Sequence, residues 1–333
     1  MKTIKFCMMA AAIVLTTACN KEKEDQPQMI MTMTTNGYSV NIRIAGTGTM
    51  TIDWGDETEI EMYSLWGPNE RQDFLHTFEN FDTYPHTIEI TGENITHMAC
   101  INIGLSHLDV SRNKRLEYLS CSQNSLKYLD VSKNTKLSEL ICYMNQLTSL
   151  DVSTLTELKV LYCFINQITQ LDVSRNIKLE KLDCAPNQIK KLDVSNNTEL
   201  VELNCGDNQL TGLDVSKNTK LTKLICDTNQ LSDLNVKGLA SLVHLHCGRY
   251  THFTEGHGNL LTNLDVSGCI SLSSLNCENN LLSGEALNAL FETLNNHTII
   301  YGKDILIGNN PGLDDCDKSI AEKKGWYVTD RSN

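Results

Sequence analysis

LEYLSCSQNSLKYLDVSKNTK, residues 116–136, recurs with little change through the following half of the sequence. Its first leucine returns every twenty-one residues, at Leu137, Leu158, Leu179, Leu200, Leu221 and Leu242. A fixed period of this length indicates a stacked array, because one unit cannot bury its own apolar face without its neighbours. The sequence therefore predicts a solenoid.

Each unit follows the pattern L-x-x-L-x-C-x-x-N-x-L-x-x-L-D-V-S-x-N. The pattern has the signature of leucine-rich repeats and resembles the short internalin-type repeats of bacteria. Stacking places equivalent strands side by side at about 4.8 Å, which gives a single curved parallel sheet on the concave side. Within a strand, Leu119 and Cys121 are predicted to face inward, and Ser120 and Ser122 to face the open side.

The corner where each strand ends carries an asparagine. We expect these amides to form a ladder that satisfies backbone groups left unpaired by the turn. Its members are Asn124, Asn145, Asn166, Asn187, Asn208 and Asn229.

The beginning of the chain reads as an export signal. Residues 1–18 combine two early lysines, an apolar run and small residues before Cys19, which resembles a bacterial lipobox. That resemblance implies a signal peptide over 1–18, a lipidated Cys19 and a flexible charged tether over 19–28. The alternative is an ordinary signal peptide with a chance cysteine.

Composition indicates an exported body rather than a nucleic-acid-binding protein. The net charge is −13 and the pI is about 5.1. Such an acidic chain repels phosphate backbones and anionic lipid surfaces, and no later stretch approaches the roughly 20 apolar residues of a membrane span.

Residues 29–92 do not repeat and are predicted to form six short strands separated by glycine turns. Residues 52–56, IDWGD, with the later His76-Thr77-Phe78 and residues 86–92, resemble an immunoglobulin-like PKD domain in order and spacing. The resemblance implies a small β-sandwich. Asp53 and Asp56 fit either a metal site or, as we favour, a tight turn. Glu57 stands where the PKD pattern has glycine.

Nine of the thirteen cysteines occupy one inward position of the repeat: Cys100, Cys121, Cys142, Cys163, Cys184, Cys205, Cys226, Cys247 and Cys277. In-register strands hold neighbouring Cβ atoms about 4.8 Å apart, more than the ~3.8 Å that a disulfide prefers. A straight row of thiols also cannot supply a tetrahedral zinc site. We predict reduced core cysteines and no metal or other cofactor.

The repeat array is predicted to span residues 93–282, beginning with an irregular unit in which Ile103 replaces the corner asparagine. Residues 283–333 are predicted to form α/β capping repeats. They contain a helix over 283–294 with Ser283 as its N-cap, a strand over 304–308, a helix over 316–324 and a final strand over 326–329. The predicted fold is therefore mainly β, with a sandwich, a solenoid and an α/β cap.

No nucleophile elbow, phosphate loop or zinc motif is present in the sequence, which argues against an enzyme. Repeats three and four instead place apolar side chains at positions that face solvent. They are Ile141, Tyr143, Met144, Val160, Tyr162, Phe164 and Ile165. Their area marks an interface with a partner, unless the chain associates with itself or covers them with another segment. The later repeats carry polar residues there, such as Asp183, Asn204 and Asp227.

The repeat at Leu242 is lengthened to thirty residues near Arg249 and Tyr250. His244 and His246 flank an inward leucine, so both imidazoles are predicted to face out near this loop. We predict a binding loop built from His244, His246, Arg249 and Tyr250. A metal site that adds His252 or His257 is the alternative.

The whole arrangement resembles the leucine-rich-repeat surface lipoproteins of Bacteroidetes. The resemblance implies an adhesion protein that binds a host or bacterial surface protein or a glycan on its concave face, anchored in the outer membrane through Cys19. A periplasmic-facing position, with a role as a structural or regulatory scaffold, is the first alternative. A metal-dependent enzyme is the second.

Overall fold

The computed structural model describes residues 30–79, 85–249, 258–296 and 302–330. The predicted signal peptide, Cys19 and the tether lie outside these residues. The strands are β1 Ile30–Thr35, β2 Ser39–Asp53, β3 Glu61–Thr77, β4 His86–Ala99, β5 Leu105–Asp109, β6 Tyr118–Ser120, β7 Glu139–Ile141, β8 Val160–Tyr162, β9 Lys181–Asp183, β10 Glu202–Asn204, β11 Lys223–Ile225, β12 His244–His246, β13 Ser274–Asn276, β14 Lys303–Leu306 and β15 Trp326–Thr329. The helices are α1 Gly284–Thr293 and α2 Ser319–Glu322.

One fifteen-stranded sheet joins all these strands, in the order β15 to β6 and then β4, β1 and β5, with β2 paired to β4 and to β3. The strands from β6 to β15 pair in parallel and in register, one strand for each repeat. The predicted solenoid with a single parallel sheet is therefore confirmed.

The N-terminal strands are fewer and longer than the sequence predicts. The strands predicted over residues 38–44 and 50–54 form one strand, β2, and β3 likewise runs through the strands predicted over residues 59–63 and 74–78. Gly46 marks a shift of register inside β2 rather than a turn. A Cβ at this position would lie 2.2 Å from the carbonyl oxygen of Asn94, so only glycine permits this close approach of two strands.

Strand β4 connects the N-terminal part to the repeats without a break. His86 to Thr91 pairs antiparallel with β1, and His97 to Ala99 pairs in parallel with β6. Residue 92, where the sequence predicts a domain boundary, therefore lies inside a single strand. Because the described strands of this part belong to one hydrogen-bonded sheet, the structure does not show two stacked sheets, and the PKD-like sandwich stays a prediction.

The residues that carry the PKD-like resemblance form an aromatic stack. Trp54 stacks on His76 with ring centroids 4.6 Å apart, and Phe78 stacks on His86 at 4.0 Å. The nearby Asp53 and Asp56 accept backbone N–H bonds from residues two positions ahead, as a tight turn requires. Glu57 adopts a φ of 66°, so it takes the left-handed conformation that glycine usually provides.

Each repeat buries an almost identical set of apolar side chains. In the unit that begins at residue 116, the fully or nearly fully buried side chains are Leu116, Leu119, Cys121, Leu126, Leu129 and Val131. The inward orientation predicted for Leu119 and Cys121 is confirmed. The buried residues of all repeats and of the N-terminal strands belong to one continuous core, to which each fully buried leucine contributes roughly 1.5–3 kcal/mol.

The asparagine ladder is confirmed in atomic detail. The Nδ2 of Asn187 donates to the carbonyls of Cys163 (3.1 Å) and Cys184 (2.9 Å), while its Oδ1 accepts the N–H of Ile168 at 2.9 Å. Each such side chain therefore bridges two successive repeats. After the long insertion, Asn259, Asn280 and Asn310 make the same pattern of bonds.

A second ladder lies at the asparagine that ends the repeat pattern. The Nδ2 of Asn197 donates to the carbonyls of Val173 and Asn176, both at 2.9 Å, and Asn176 and Asn218 are bound in the same way. The aspartate of each Asp-Val-Ser accepts the serine N–H, as Asp193 does from Ser195 at 2.9 Å. Both features hold the turns opposite the sheet.

The cysteine row is buried, and the eleven cysteines among the described residues are all free thiols. Burial raises the pKa of Cys121 and of Cys247 to about 12, because the apolar core disfavours a thiolate. At neutral pH these cysteines are therefore protonated and pack as small hydrophobic groups.

In the C-terminal part, α1 lies within the predicted helix, and the Ser283 side chain accepts the N–H of Ala286 at 3.2 Å as an N-cap. The second helix, α2, is only four residues long, whereas the sequence predicts nine. It starts late because Asp317 accepts the N–H of Ser319 at 3.0 Å and the residues before it form turns. Gly325, at φ 79°, ends this segment before β15.

Candidate functional site

The concave face carries the side chains on either side of each inward leucine. Leu140 in β7 and Leu161 in β8 are fully buried, whereas Ile141 and Tyr162 are half-buried on the opposite face. The register of the strands places Ile141 beside Tyr162, and Tyr162 beside Asp183. Equivalent residues therefore form rows that cross the sheet, with about 4.8 Å between neighbours.

Two neighbouring repeats concentrate apolar side chains on this face. The rings of Tyr143 and Phe164 stack with centroids 4.2 Å apart and planes 6° from parallel. Burial raises the pKa of the Tyr162 phenol on the adjoining row. The structure thus brings together the seven predicted residues, here called the apolar patch: Ile141, Tyr143, Met144, Val160, Tyr162, Phe164 and Ile165.

The backbone conformation directs two members of the apolar patch, Met144 and Ile165, toward solvent. Met144 and Ile165 lie three residues beyond the ends of β7 and β8, with φ values of 53° and 50°. Side chains seldom adopt this left-handed region, least of all β-branched ones such as Ile165. The turn holds both side chains in solvent, with 42% of Met144 and 43% of Ile165 exposed. Hydrogen bonds of the ladder hold the turn itself.

The surface around the apolar patch extends beyond the predicted residues. Ile101, in the irregular first repeat, is 41% exposed, and Pro186 is exposed in the repeat that follows Phe164. Both occupy the positions equivalent to patch members in their own repeats. Comparing all repeats at these positions would have found them in the sequence, but Pro186 reads as an ordinary turn residue.

Two serines predicted to face the open side are buried. Ser120 is 1% exposed and Ser122 is fully buried. The prediction that both hydroxyl groups face solvent is wrong. A small side chain on this face is covered by a larger side chain beside it. Ser120 has the larger Ile141 on one neighbouring strand and Ala99 on the other, and Ser122 occupies the row of Tyr143. This end of the face offers shallow apolar surface rather than hydroxyl groups.

Three carboxylates follow the apolar patch along the sheet. Burial raises the pKa of Asp183 and of Asp207, and it raises the pKa of Asp227 to about 6, with a further contribution from the charge of Asp207. Acidic side chains are ordinarily fully ionised near neutral pH. Here water is partly excluded, which disfavours the ionised carboxylates, and a positive charge placed beside them would stabilise the ionised form.

At the other end of the face, a cation from β3 reaches the repeats. The guanidinium of Arg71 lies 4.7 Å from the ring centroid of Tyr118, and that ring stacks on His97 at 5.7 Å. Arg71 belongs to residues 68–71, which have no partner in β2. The sequence gives no sign of this contact, because it depends on how the N-terminal strands bend onto the first repeat.

The histidines of β12 face the same side as the apolar patch. His244 is exposed and His246 is half-buried, as predicted. Burial, followed by the charges of His244 and Lys223, lowers the pKa of His246, so it is neutral at physiological pH. Within the parts of the chain that the structure describes, no cluster of three or more His, Cys, Asp or Glu side chains is arranged to hold a metal ion.

Of the two other residues predicted for this loop, the structure describes Arg249, which does not join the open face. The side chain of Arg249 is largely buried, and its backbone N–H donates to the carbonyl of Glu278 at 3.3 Å. Tyr250, His252 and His257 lie outside the described residues. Among the described residues, the predicted members of this loop that face the open side are His244 and His246.

Comparisons with known proteins found similar architectures among solved structures. No protein-family model and no curated protein matches the chain. Among solved structures, the functional domain of InlJ from Listeria monocytogenes, which includes a cysteine ladder, is 30% identical with a TM-score of 0.52, covering 71% of this chain and 53% of that one. A leucine-rich-repeat protein of Leptospira interrogans is 22% identical with a TM-score of 0.49, covering 67% of this chain and 62% of that one.

An internalin, inlF, from Listeria monocytogenes is also similar, at 21% identity and a TM-score of 0.37. It covers 72% of this chain and 87% of that one. The chain thus spans about half the length of the solved InlJ domain. The similarity to InlJ supports the solenoid and the row of cysteines. Among the described residues, neither helix has the length and apolar character needed to cross a membrane.

Proposed function

We propose that this chain is a binding protein whose apolar patch on the concave face docks onto a protein partner. The observation that carries this proposal is the stacked pair Tyr143 and Phe164, half-exposed on a parallel sheet and continued by the exposed Met144 and Ile165. Large aromatic side chains held in place by stacking lose little conformational freedom on binding, which makes them effective anchors.

The composition of the apolar patch favours a protein over a glycan as the partner. Aliphatic side chains surround the rings, with Ile141, Val160 and Ile165 close by. A sugar needs hydrogen-bonding groups around any ring on which it stacks, whereas an apolar side chain of a protein gains by displacing water from such a surface. A glycan remains an outcome that the experiments below distinguish.

The chain is proposed to act without catalysis and without a bound metal. The exposed concave face presents apolar, acidic and histidine side chains in separate repeats rather than converging in one cleft. The competing function, a metal-dependent enzyme, would use His244 and His246. Stoichiometric zinc or nickel in the purified protein, with a rise in melting temperature on adding the metal, would support that competitor.

We extend the proposal to location. The lipobox-like residues before Cys19 support a lipoprotein anchored in the outer membrane, facing the cell surface, with the PKD-like part as a spacer. Cys19 lies outside the described residues, so this step rests on the sequence alone. Loss of membrane association in Cys19→Ser, together with protease sensitivity on intact cells, is the expected result. Protection from the protease would instead support the periplasmic scaffold.

Panning a display library of random sixteen-residue peptides tests the binding proposal directly. The wild type is expected to enrich a family of related peptides. The triple variant Tyr143→Ser, Tyr162→Ser, Phe164→Ser should not enrich that family. Tyr128→Ser is the matched control, because this tyrosine is 66% exposed but lies outside the strands. Equal enrichment by the triple variant, or enrichment only of glycans on a parallel glycan array, would contradict the proposal.

A further inference from the structure

The row of residues two positions after each strand end changes abruptly in size beside the apolar patch. It runs through Tyr143, Phe164, Ala185, Gly206 and Asp227 in successive repeats. Two stacked rings are thus followed by two of the smallest side chains and then by a carboxylate. Because successive strands lie about 4.8 Å apart, the small residues leave a depression beside the Phe164 ring, over Ala185 and Gly206.

The carboxylate of Asp227 lies over the floor of this depression. A Cβ on Gly206 would come within 2.5 Å of the Asp227 Oδ1. The side chain of Asp227 therefore extends across Gly206 toward the aromatic rings. Any larger residue at position 206 would displace it, so the glycine at this position opens the depression and lets the charge reach into it.

A second carboxylate borders the same depression from the strand side. Asp183 is the register partner of Tyr162 and of Asn204, and its Oδ1 accepts the N–H of Ala185 at 3.2 Å. One apolar wall and two acidic groups thus surround the small floor. This combination fits a side chain that is apolar along its length and positively charged at its end.

In the part of the chain that the structure describes, the nearby basic side chains do not form ion pairs with these acids. Lys181 forms an ion pair with Glu202 at 2.6 Å and is not directed to Asp183. Lys223 and Arg249 act on Asp183 and on Asp207 only through longer-range attraction. None of the ion pairs formed within the described residues involves Asp183, Asp207 or Asp227.

We infer that the protein partner inserts a lysine or arginine side chain into this depression, with its methylene groups against Phe164 and over Ala185, and its charge at Asp227 and Asp183. This inference rests on the proposed function and names the chemistry of the partner. Long basic side chains bury their methylene groups on apolar surface while the charged end stays with polar groups. Arginine in addition stacks on aromatic rings and binds carboxylates with two parallel hydrogen bonds.

A partner without a basic group at this point fits the surface poorly. Docking onto the apolar patch would remove more water from Asp183 and Asp227 without giving them a positive charge. An unpaired carboxylate in a dehydrated interface is costly, so an uncharged or acidic partner is selected against.

The test uses the peptides that the library yields. Each lysine or arginine of the best binder is replaced in turn by norleucine, which keeps an unbranched apolar chain but removes the charge. Affinities are then measured by calorimetry for the wild type, for Asp183→Asn with Asp227→Asn, and for Asp233→Asn. The last is the matched control, since Asp233 is exposed and lies outside the concave strands.

One norleucine peptide is expected to bind the wild type at least tenfold more weakly, and the double asparagine variant should no longer distinguish it from the parent peptide. The parent peptide should also lose affinity for the double variant by about tenfold, and none for the control. Melting curves must show that the double variant is folded. Asparagine is close in shape to aspartate and keeps one side-chain oxygen as an acceptor, so we expect no loss of stability.

Two different results separate this inference from the proposed function. Binders that depend on Tyr143 and Phe164 but contain no basic residue, or bind the double asparagine variant unchanged, overturn the lysine or arginine inference alone. Failure to enrich any peptide, or enrichment that survives the triple serine variant, overturns the proposed function and this inference with it.

Discussion

The ring of Tyr143 lies parallel to the ring of Phe164 on the next repeat, with 4.2 Å between centroids. The two side chains support each other on a face that is otherwise open to solvent. A double-mutant cycle with Tyr143→Ser and Phe164→Ser should give a coupling of about 0.5–1.5 kcal/mol in the free energy of unfolding. Urea titration measures it. A coupling indistinguishable from zero would show that the rings do not stack in solution.

The cysteines of the row should be free thiols that reagents cannot reach in the folded protein. Native protein at pH 8 should react slowly with an alkylating reagent, because burial raises the pKa of Cys121 and Cys247 to about 12 and shields the sulfur. Protein denatured without reductant should then react fully. Mass spectrometry counts the modified sites in both states. Ladder cysteines found mostly in disulfides would overturn the packing described for the repeat.

Replacing one cysteine of this row tests its packing. Cys184 is fully buried among apolar side chains. Cys184→Ser introduces a hydroxyl there and should lower the free energy of unfolding by about 1–3 kcal/mol. Cys316→Ser, at a half-buried position away from the row, is the control and should cost less. Equal effects of the two substitutions would count against the apolar character of the row.

The asparagine ladder should be a strong determinant of stability. Asn187→Ala removes hydrogen bonds to Cys163, Cys184 and Ile168 and leaves their backbone groups unpaired at the corner. We expect a loss of roughly 2–4 kcal/mol in the free energy of unfolding. Asn196→Ala removes one exposed bond and should change stability by less than about 0.5 kcal/mol. A loss for Asn187→Ala as small as the loss for Asn196→Ala would mean that the corner hydrogen bonds contribute little to stability.

Asp227 should make stability depend on pH in a defined direction. Its pKa is raised to about 6 in the folded protein, chiefly by burial and then by the charge of Asp207. A carboxyl with a raised folded-state pKa stabilises the protein below its unfolded value of about 3.9, and this contribution is lost as pH rises through about 6.

Asp227→Asn should therefore be more stable than the wild type by about 1–3 kcal/mol at pH 8, and the two should converge near pH 4. Urea titrations at the two pH values measure the difference. Asp233→Asn, an exposed substitution, is the control and should show no such change with pH. A wild type that is as stable as Asp227→Asn at pH 8 would show that Asp227 is well hydrated.

The structure of the repeats could be predicted from the sequence because identical side chains recur at a fixed spacing. Leu119, Cys121 and Asn124 each have one physical role that is repeated in every unit, and the structure confirms all three. The apolar patch was recognisable for the same reason. A departure such as Tyr143 or Phe164 stands out only against neighbours that follow the pattern.

The N-terminal part lacks this internal comparison, and there the sequence was misleading. The glycines around Gly46 have the composition of a turn, yet they lie within one strand that bends at a close approach to Asn94. Arg71, which contacts Tyr118, lies in residues 68–71 of β3, which no repeated pattern marks in the sequence. Likewise, the burial of Ser122 follows from the size of its neighbours, which a reading of single strands does not include.

The central claim is that the apolar patch is the surface that binds a protein partner. The most direct measurement titrates the best library peptide into the wild type, the triple variant Tyr143→Ser, Tyr162→Ser, Phe164→Ser, and the control Tyr128→Ser, with melting curves recorded beside each titration. Because binding energy concentrates in aromatic anchors, commonly 2 kcal/mol or more each, we predict at least a hundredfold loss of affinity for a triple variant that remains folded. A folded triple variant that binds as tightly as the control would contradict the claim.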